Sequence, residues 1–101
     1  MIFAMKIHEK DTSNETIAVC DEDLLDTEIY DKERDIEFKI SREFYGEEKF
    51  EWTDIKDILI NGKNINLVGN EIVKMAVESG IVNPSNTIDI NGVKHAQVYF
   101  I

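Results

Sequence analysis

The first eight residues, MIFAMKIH, are apolar at almost every position as far as Lys6. So short an unbroken apolar run suits a strand covered on both faces, hence one inside its sheet. The polar stretch KDTSN follows, then ETIAVC, a second strand, and the two form a hairpin with a five-residue loop. Pairing Glu9 with Glu15 sets His8 opposite Thr16 and Cys20 opposite Ala4. Asp21 stands where it can cap a short helical turn over EDLLD. TEIYDKERD is a charged connector without a clean period, whereas IEFKI alternates apolar and charged residues, a strand with one wet face. Ser41 opens a short turn, SREFYG, closed by Gly46, and EKFEW is a candidate short strand. Thr53 is placed to cap a helix over DIKDILI, in which Ile55, Ile58 and Leu59 recur at i, i+3 and i+4. KNINL is a brief extended piece. GNEIVKMAVESG carries the strongest helical pattern, with Asn70 as cap, Ile72, Val73, Met75, Ala76 and Val77 on the buried side, and Gly80 just past the end. TIDI, Asn91-Gly92 and VKHAQVYFI form a hairpin with a two-residue turn.

These elements predict a single α+β domain over residues 1–101, with a mostly antiparallel sheet of about six strands and two main helices packed on it. The first and last strands are the most apolar. Both are expected inside the sheet, and they are candidates for adjacency.

Composition sharpens this picture in one respect. The net charge is −10, and residues 21–57 hold fifteen acids against six bases, so nearly all of the acidity lies in one connected segment. Such a surface argues against direct binding of nucleic acid, which needs cations to displace the counterions of the backbone. It favours either a solvated exterior or a basic protein partner. The single cysteine, Cys20, fits a reducing cytosol. No apolar run nears the ~20 residues of a membrane span, and the N-terminus reads as a strand and not as a signal peptide.

The last strand raises the question of chemistry. Side chains alternate across a strand, so Ala96, Val98 and Phe100 share one face and His95, Gln97 and Tyr99 share the other. The first row can pack on helices. The second is a candidate contact row, and Asp89 or a neighbour across the hairpin offers His95 a carboxylate. Cys20, just ahead of a helical turn, has amides nearby that lower a thiol pKa, but Asp21, Glu22, Asp23 and Asp26 oppose that. A buried, inert cysteine is the plainer reading. The hairpin register separates His8 from Cys20 by about 13 Å, which argues against a zinc site built from His8, Cys20 and His95. Gly69 precedes a helix without any phosphate-loop spacing, so its expected role is close packing or a positive φ. Phe44 and Tyr45 are either exposed anchors or aromatics tucked under a turn. No cofactor is implied, and no catalytic residue set is readable.

MKIHEK, AVCDEDLL, FYG, NLVG before a helix ending in ESGIV, and the closing GVKHAQV together resemble the archaeal DUF424 family of uncharacterised proteins, over nearly the full chain and in the same order. The family tends to carry a double glycine after FY; here Glu47 follows Gly46, and the charged region from Tyr30 to Ile36 is longer than the family pattern. The resemblance implies a small cytosolic archaeal protein. It also suggests, through genes that sit near those of translation initiation, a translation-linked accessory role. The matching positions whose side chains have something to offer are Cys20, Asn66, His95 and Gln97. The resulting expectation is a binding or adaptor module whose contact residues are Cys20, Tyr45, Asn66, His95, Gln97 and Tyr99, and whose partner is a protein, basic or associated with the ribosome or initiation. The alternative is a small enzyme using Cys20 or His95 in a cleft. A third reading is a homo-oligomer joined through a sheet edge or exposed aromatics.

Overall fold

The computed structural model describes residues 1–99. The first hairpin forms as its register predicts: β1 (Phe3–His8) runs antiparallel to β2 (Thr16–Asp21), with His8 opposite Thr16 and Ala4 opposite Cys20. β3 (Glu28–Asp31) and β4 (Ile36–Lys39) form a separate two-stranded sheet. α1 (Arg42–Tyr45) leads to β5 (Lys49–Phe50), which returns to pair with β1. α2 (Trp52–Ile60), β6 (Asn64–Val68), α3 (Asn70–Glu78), β7 (Thr87–Ile90) and β8 (Val93–Tyr99) complete the order. The main sheet runs β5-β1-β2-β6-β8-β7.

The α+β class holds, and so does the six-stranded sheet with two main helices. The sheet is mostly antiparallel, as expected, with one parallel pairing that the sequence did not announce: β2 and β6 run parallel, Ile17 beside Ile65 and Cys20 beside Val68. Both terminal strands lie inside the sheet, but β2 and β6 separate them. TEIYDKERD is no connector. It holds β3 and a turn in which Asp31 accepts from the Glu33 and Arg34 amides at 3.0 and 3.2 Å and pairs with the Arg34 guanidinium. Turn chemistry builds this hairpin, so hydrophobic periodicity does not reveal it.

Parity sorts the core. Phe3, Met5, Ile17, Val19, Ile65, Leu67, Ala96 and Val98 form one face of the sheet and pack with Ile55 and Leu59 of α2 and Ile72, Val73 and Ala76 of α3. Ala4, Ala18, Cys20 and Val68 form the other face, under Ile29, Ile40 and Tyr45. The helix caps differ from expectation. α2 begins one residue before Thr53, capped by a reciprocal pair in which Glu51 and Asp54 each bond the other's backbone N–H. At α3 the cap position is Gly69, which has no side chain to offer, and Asn70 is already helical.

The missing cap comes from β2. Asp21 Oδ2 accepts from the Glu71 amide at 3.0 Å and Oδ1 from the Ile72 amide at 2.9 Å. The parallel pairing explains why. β2 and β6 finish at the same end of the sheet, so the residue after Cys20 meets the helix that starts after Val68. Asp21 shares the parity of Ile17 and Val19, and its side chain therefore points to the helical face. A Cβ on Gly69 would lie 2.3 Å from Asp21 Cγ, and the Gly69 φ of +128° suits glycine alone. The capping expected of Asp21 is real, but it acts on α3 and not on the turn at Glu22–Leu24 that follows it.

Replacing Asp21 by Ala should cost about 1–2 kcal/mol, the range of a lost N-cap. Gly69→Ala should cost more, about 3 kcal/mol, because it adds backbone strain and a clash to the displaced cap. Urea unfolding of both variants measures the two costs. An unchanged midpoint for Gly69→Ala would contradict the assignment.

Candidate functional site

The second face of the sheet is divided. At one end the β3–β4 hairpin and α1 cover it. There Cys20, Val68 and His95 lie in register across β2, β6 and β8. At the other end the rows are polar: Lys6, Ala18, Asn66 and Gln97 in one, His8, Thr16, Asn64 and Tyr99 in the next. Gln97 is exposed, Tyr99 is 66% exposed and Asn66 is half-buried. The alternation expected of the last strand holds over Ala96–Tyr99, with Ala96 and Val98 in the helical core. Phe100 lies outside the described residues.

Tyr45 sits at the boundary between the two halves. It is 1% exposed, and its hydroxyl donates to Asn66 Oδ1 at 2.8 Å. Burial raises its pKa above the ordinary tyrosine range, and the neighbouring Cys20 adds to this. The phenol therefore stays a neutral donor and fixes the Asn66 carboxamide, whose NH2 is turned away from it. Gly46 makes the placement possible. Its φ is +84°, and a Cβ there would approach the Met5 carbonyl oxygen to 2.7 Å, so α1 lies directly on β1. One glycine suffices for this turn, and Glu47 is simply exposed.

Cys20 is wholly buried. Burial, with the Asp21 and Asp23 charges beside it, pushes the thiol up to about 12. Val68 stands between Cys20 and His95, so two strand spacings of about 4.8 Å separate their backbones, too far for a thiol–imidazole pair. His95 does not reach a carboxylate either. Asp89 pairs with Lys94 on the opposite face, whereas His95 faces Ile88, with its ring 5.6 Å from the Phe38 ring. Its Nε2 is buried without a hydrogen-bond partner, and desolvation lowers its pKa. Among the described residues no three His, Cys, Asp or Glu side chains converge as metal ligands would.

Two of the six candidates, Cys20 and Tyr45, are thus core residues. His95 belongs to the covered half, and Asn66, Gln97 and Tyr99 share the open half. Lys6, His8 and Phe44 complete that half; from the sequence His8 was weighed only as a zinc ligand, Phe44 only as an aromatic anchor, and Lys6 not at all. The Lys6 ammonium donates to the Glu43 carbonyl at 2.8 Å, His8 Nε2 to the Phe44 carbonyl at 2.7 Å, and the His8 and Phe44 rings stack at 4.8 Å. The parity of the first hairpin already puts Lys6 and His8 on one face. Only the β2–β6 pairing shows that Asn66 and Gln97 continue the same row.

Cys20 should resist thiol reagents in the native protein and react fully in denaturant; rapid native labelling would contradict its placement. His95, with its folded pKa below the unfolded one, contributes stability that is present above the unfolded pKa and lost as pH falls through the folded value. Wild type should therefore lose stability relative to His95→Gln as pH drops from about 7 toward 5. Denaturant midpoints across that range, with an NMR titration of the His95 ring, check the sign.

No curated protein matches the chain. Its fold is similar to the crystal structure of an uncharacterized conserved protein from Methanopyrus kandleri, with a TM-score of 0.79 and 25% identity, covering 100% of this chain and 93% of that one. No helix among the described residues is long and apolar enough to cross a membrane. The family model DUF424, described as a protein of unknown function, matches residues 8–101. With the motif positions Cys20, Asp21, Tyr45, Gly46, Asn66 and Gly69 all engaged in the packing described above, the chain belongs to the DUF424 family.

Proposed function

We propose that this protein is a small binding module of the archaeal cytosol, without catalysis of its own, that meets a protein partner through the open polar half of its sheet. The observation that carries this reading is the Tyr45–Asn66 bond. A buried, neutral phenol holds a half-exposed carboxamide in one orientation, in register with the exposed Gln97 and beside Tyr99. Amides and an amphipathic aromatic ring on a rigid sheet supply adaptable hydrogen bonds and contact area at low entropic cost. The surface is open and not cleft-like, which suits a macromolecule better than a small substrate. The inert thiol and the unpaired His95 support the adaptor reading over an enzyme.

The acidic β3–β4 hairpin borders this surface, with Glu28, Glu37 and Tyr30 exposed on it. A hydrogen bond with the Glu28 side chain, and then the Glu28 charge beside it, raise the pKa of Glu37. A basic partner would relieve that repulsion, and ribosomal and initiation proteins are the partner class suggested by the family resemblance.

Tagged protein in an archaeal lysate should retain ribosomal or initiation components at low salt and release them as salt rises. The double variant Gln97→Ala, Tyr99→Ala should retain about tenfold less while unfolding at the same temperature, as removal of contact residues predicts. If none of those components is retained, the translation link fails. If the double variant captures as much as wild type, the polar rows are not the contact surface.

A further inference from the structure

The main sheet has two edges, and only one of them is electrically neutral. β5 forms the first with two residues and lies in the acidic segment 21–57, where fifteen acids are opposed by six bases. β7 forms the other, and residues 58–99 hold three acids and three bases. Ile88, inside β7, is 40% exposed. It stands on the face that carries the β3–β4 hairpin, because it pairs with His95, whose ring meets Phe38. Ile36, on the same side of β4 as Phe38, is 51% exposed. β4 leads into α1, which lies on β1, so its first residues point toward β7, against which β3 packs. Two large aliphatic side chains are thus left to solvent at the neutral edge.

The backbone of β7 has groups to spare there. The turn at Asn91-Gly92 has two residues, both with positive φ, so Ile90 and Val93 form a hydrogen-bonded pair and Asp89 and Lys94 a non-bonded one. The Lys94 carbonyl agrees with this phase: it turns to the β6 side and accepts from the Gly69 amide at 2.8 Å. Asp89 and Thr87 therefore direct their backbone groups away from β8. The Thr87 amide is taken by the Pro84 carbonyl. The Asp89 N–H, the Asp89 C=O and the Thr87 C=O remain at the free edge. A donor at 89, an acceptor at 87 and an isoleucine between them make a pattern that is its own complement under two-fold symmetry.

We infer that two copies of this chain associate through β7, antiparallel, with Ile88 against Ile88 across a two-fold axis, so that the two main sheets become one. In this register Asp89 of each copy lies opposite Thr87 of the other, and each Asp89 N–H donates to the Thr87 carbonyl it faces. The two Ile88 residues form a non-bonded pair, the closer kind, on the hairpin face, where Ile36 adds apolar cover. The Asp89 carboxylates fall on the other face and on a diagonal, about 8 Å apart. Each also has its own Lys94 ammonium at 3.5 Å. The neighbouring registers are worse. Asp89 against Asp89 sets like charges directly opposite, and Thr87 against Thr87 has no free N–H to donate. Two main-chain bonds and one aliphatic seam make a small interface, so the dimer is weak and concentration-dependent. It uses none of the residues of the polar rows, and the two readings stand or fall separately.

Sedimentation equilibrium between about 10 µM and 1 mM should show the mean mass rising from 11.7 kDa toward twice that value. Over the same range the Thr87, Ile88 and Asp89 amides of 15N-labelled protein should shift, and those of Gln97 and Tyr99 should not. Ile88→Lys and Ile88→Glu should each weaken association about tenfold, because like charges then meet across the axis. Mixed in equal amounts, the two variants should associate again as an oppositely charged pair. Asp89→Pro, which removes the edge N–H and no ladder bond, should also weaken the dimer. A chain that stays monomeric throughout the range would overturn the inference and leave the edge to a foreign strand. So would a dimer that survives Ile88→Lys and Asp89→Pro, shifts centred on another surface, or charge variants that fail to pair when mixed.

Discussion

The carboxylate of Asp21 joins two parts of the chain that nothing else in the local sequence connects. It leaves the end of β2 and satisfies two of the amides that open α3, fifty residues on. A helix start needs such acceptors, and a helix preceded by glycine has none of its own. The parallel β2–β6 pairing, the glycine at position 69 and the aspartate at position 21 are therefore one arrangement. Parallel strands end together, glycine leaves room, and the carboxylate fills it. Burial with Asp23 and Glu71 nearby raises the pKa of Asp21 against the pull of the two amides, so the site is held by geometry and not by charge alone.

That junction also decides what the second face becomes. With α2 and α3 anchored on one side, the other side is left to a two-stranded hairpin too small to cover it. Ile29, Ile40 and Tyr45 close the half that contains Cys20 and Val68. The remaining half stays open, and its side chains are amides, hydroxyls, a lysine and aromatic rings. Tyr45 marks the border and ties the two halves together through Asn66. A surface of this kind suits the recognition role proposed above. The unpartnered imidazole nitrogen of His95 is explained by burial beside Phe38, which packs the ring and leaves its polar edge unsatisfied, at a cost to stability.

Much of this was readable from the chain. The five-residue loop set the register of β1 and β2, Asn91-Gly92 marked the last hairpin, and the 3.6-residue period placed Ile55 and Leu59, and Ile72, Val73 and Ala76, in the core. Strand parity put Gln97 and Tyr99 on the face opposite Ala96 and Val98. What escaped were relations over long sequence distances or without a period. KNINL is too short to declare its neighbours, so the parallel pairing was missed and with it the true role of Asp21. β3 contributes a single buried aliphatic, Ile29, and is held by the Asp31 turn. Thr53 looked like the cap of α2, yet the cap is Glu51, two residues earlier, where the reciprocal Glu51–Asp54 pair satisfies both backbone amides. The Tyr45–Asn66 bond spans twenty-one residues, and no local pattern announces it.

The backbone amides of Glu71 and Ile72 offer the most direct test of the central claim. The first amides of an α-helix have no intrahelical partner and ordinarily exchange with solvent quickly. Held by Asp21, these two should exchange as slowly as amides in the middle of α3. Exchange at the rate of an exposed helix start would mean that the carboxylate does not bridge β2 to α3, and the arrangement built on it would have to be abandoned.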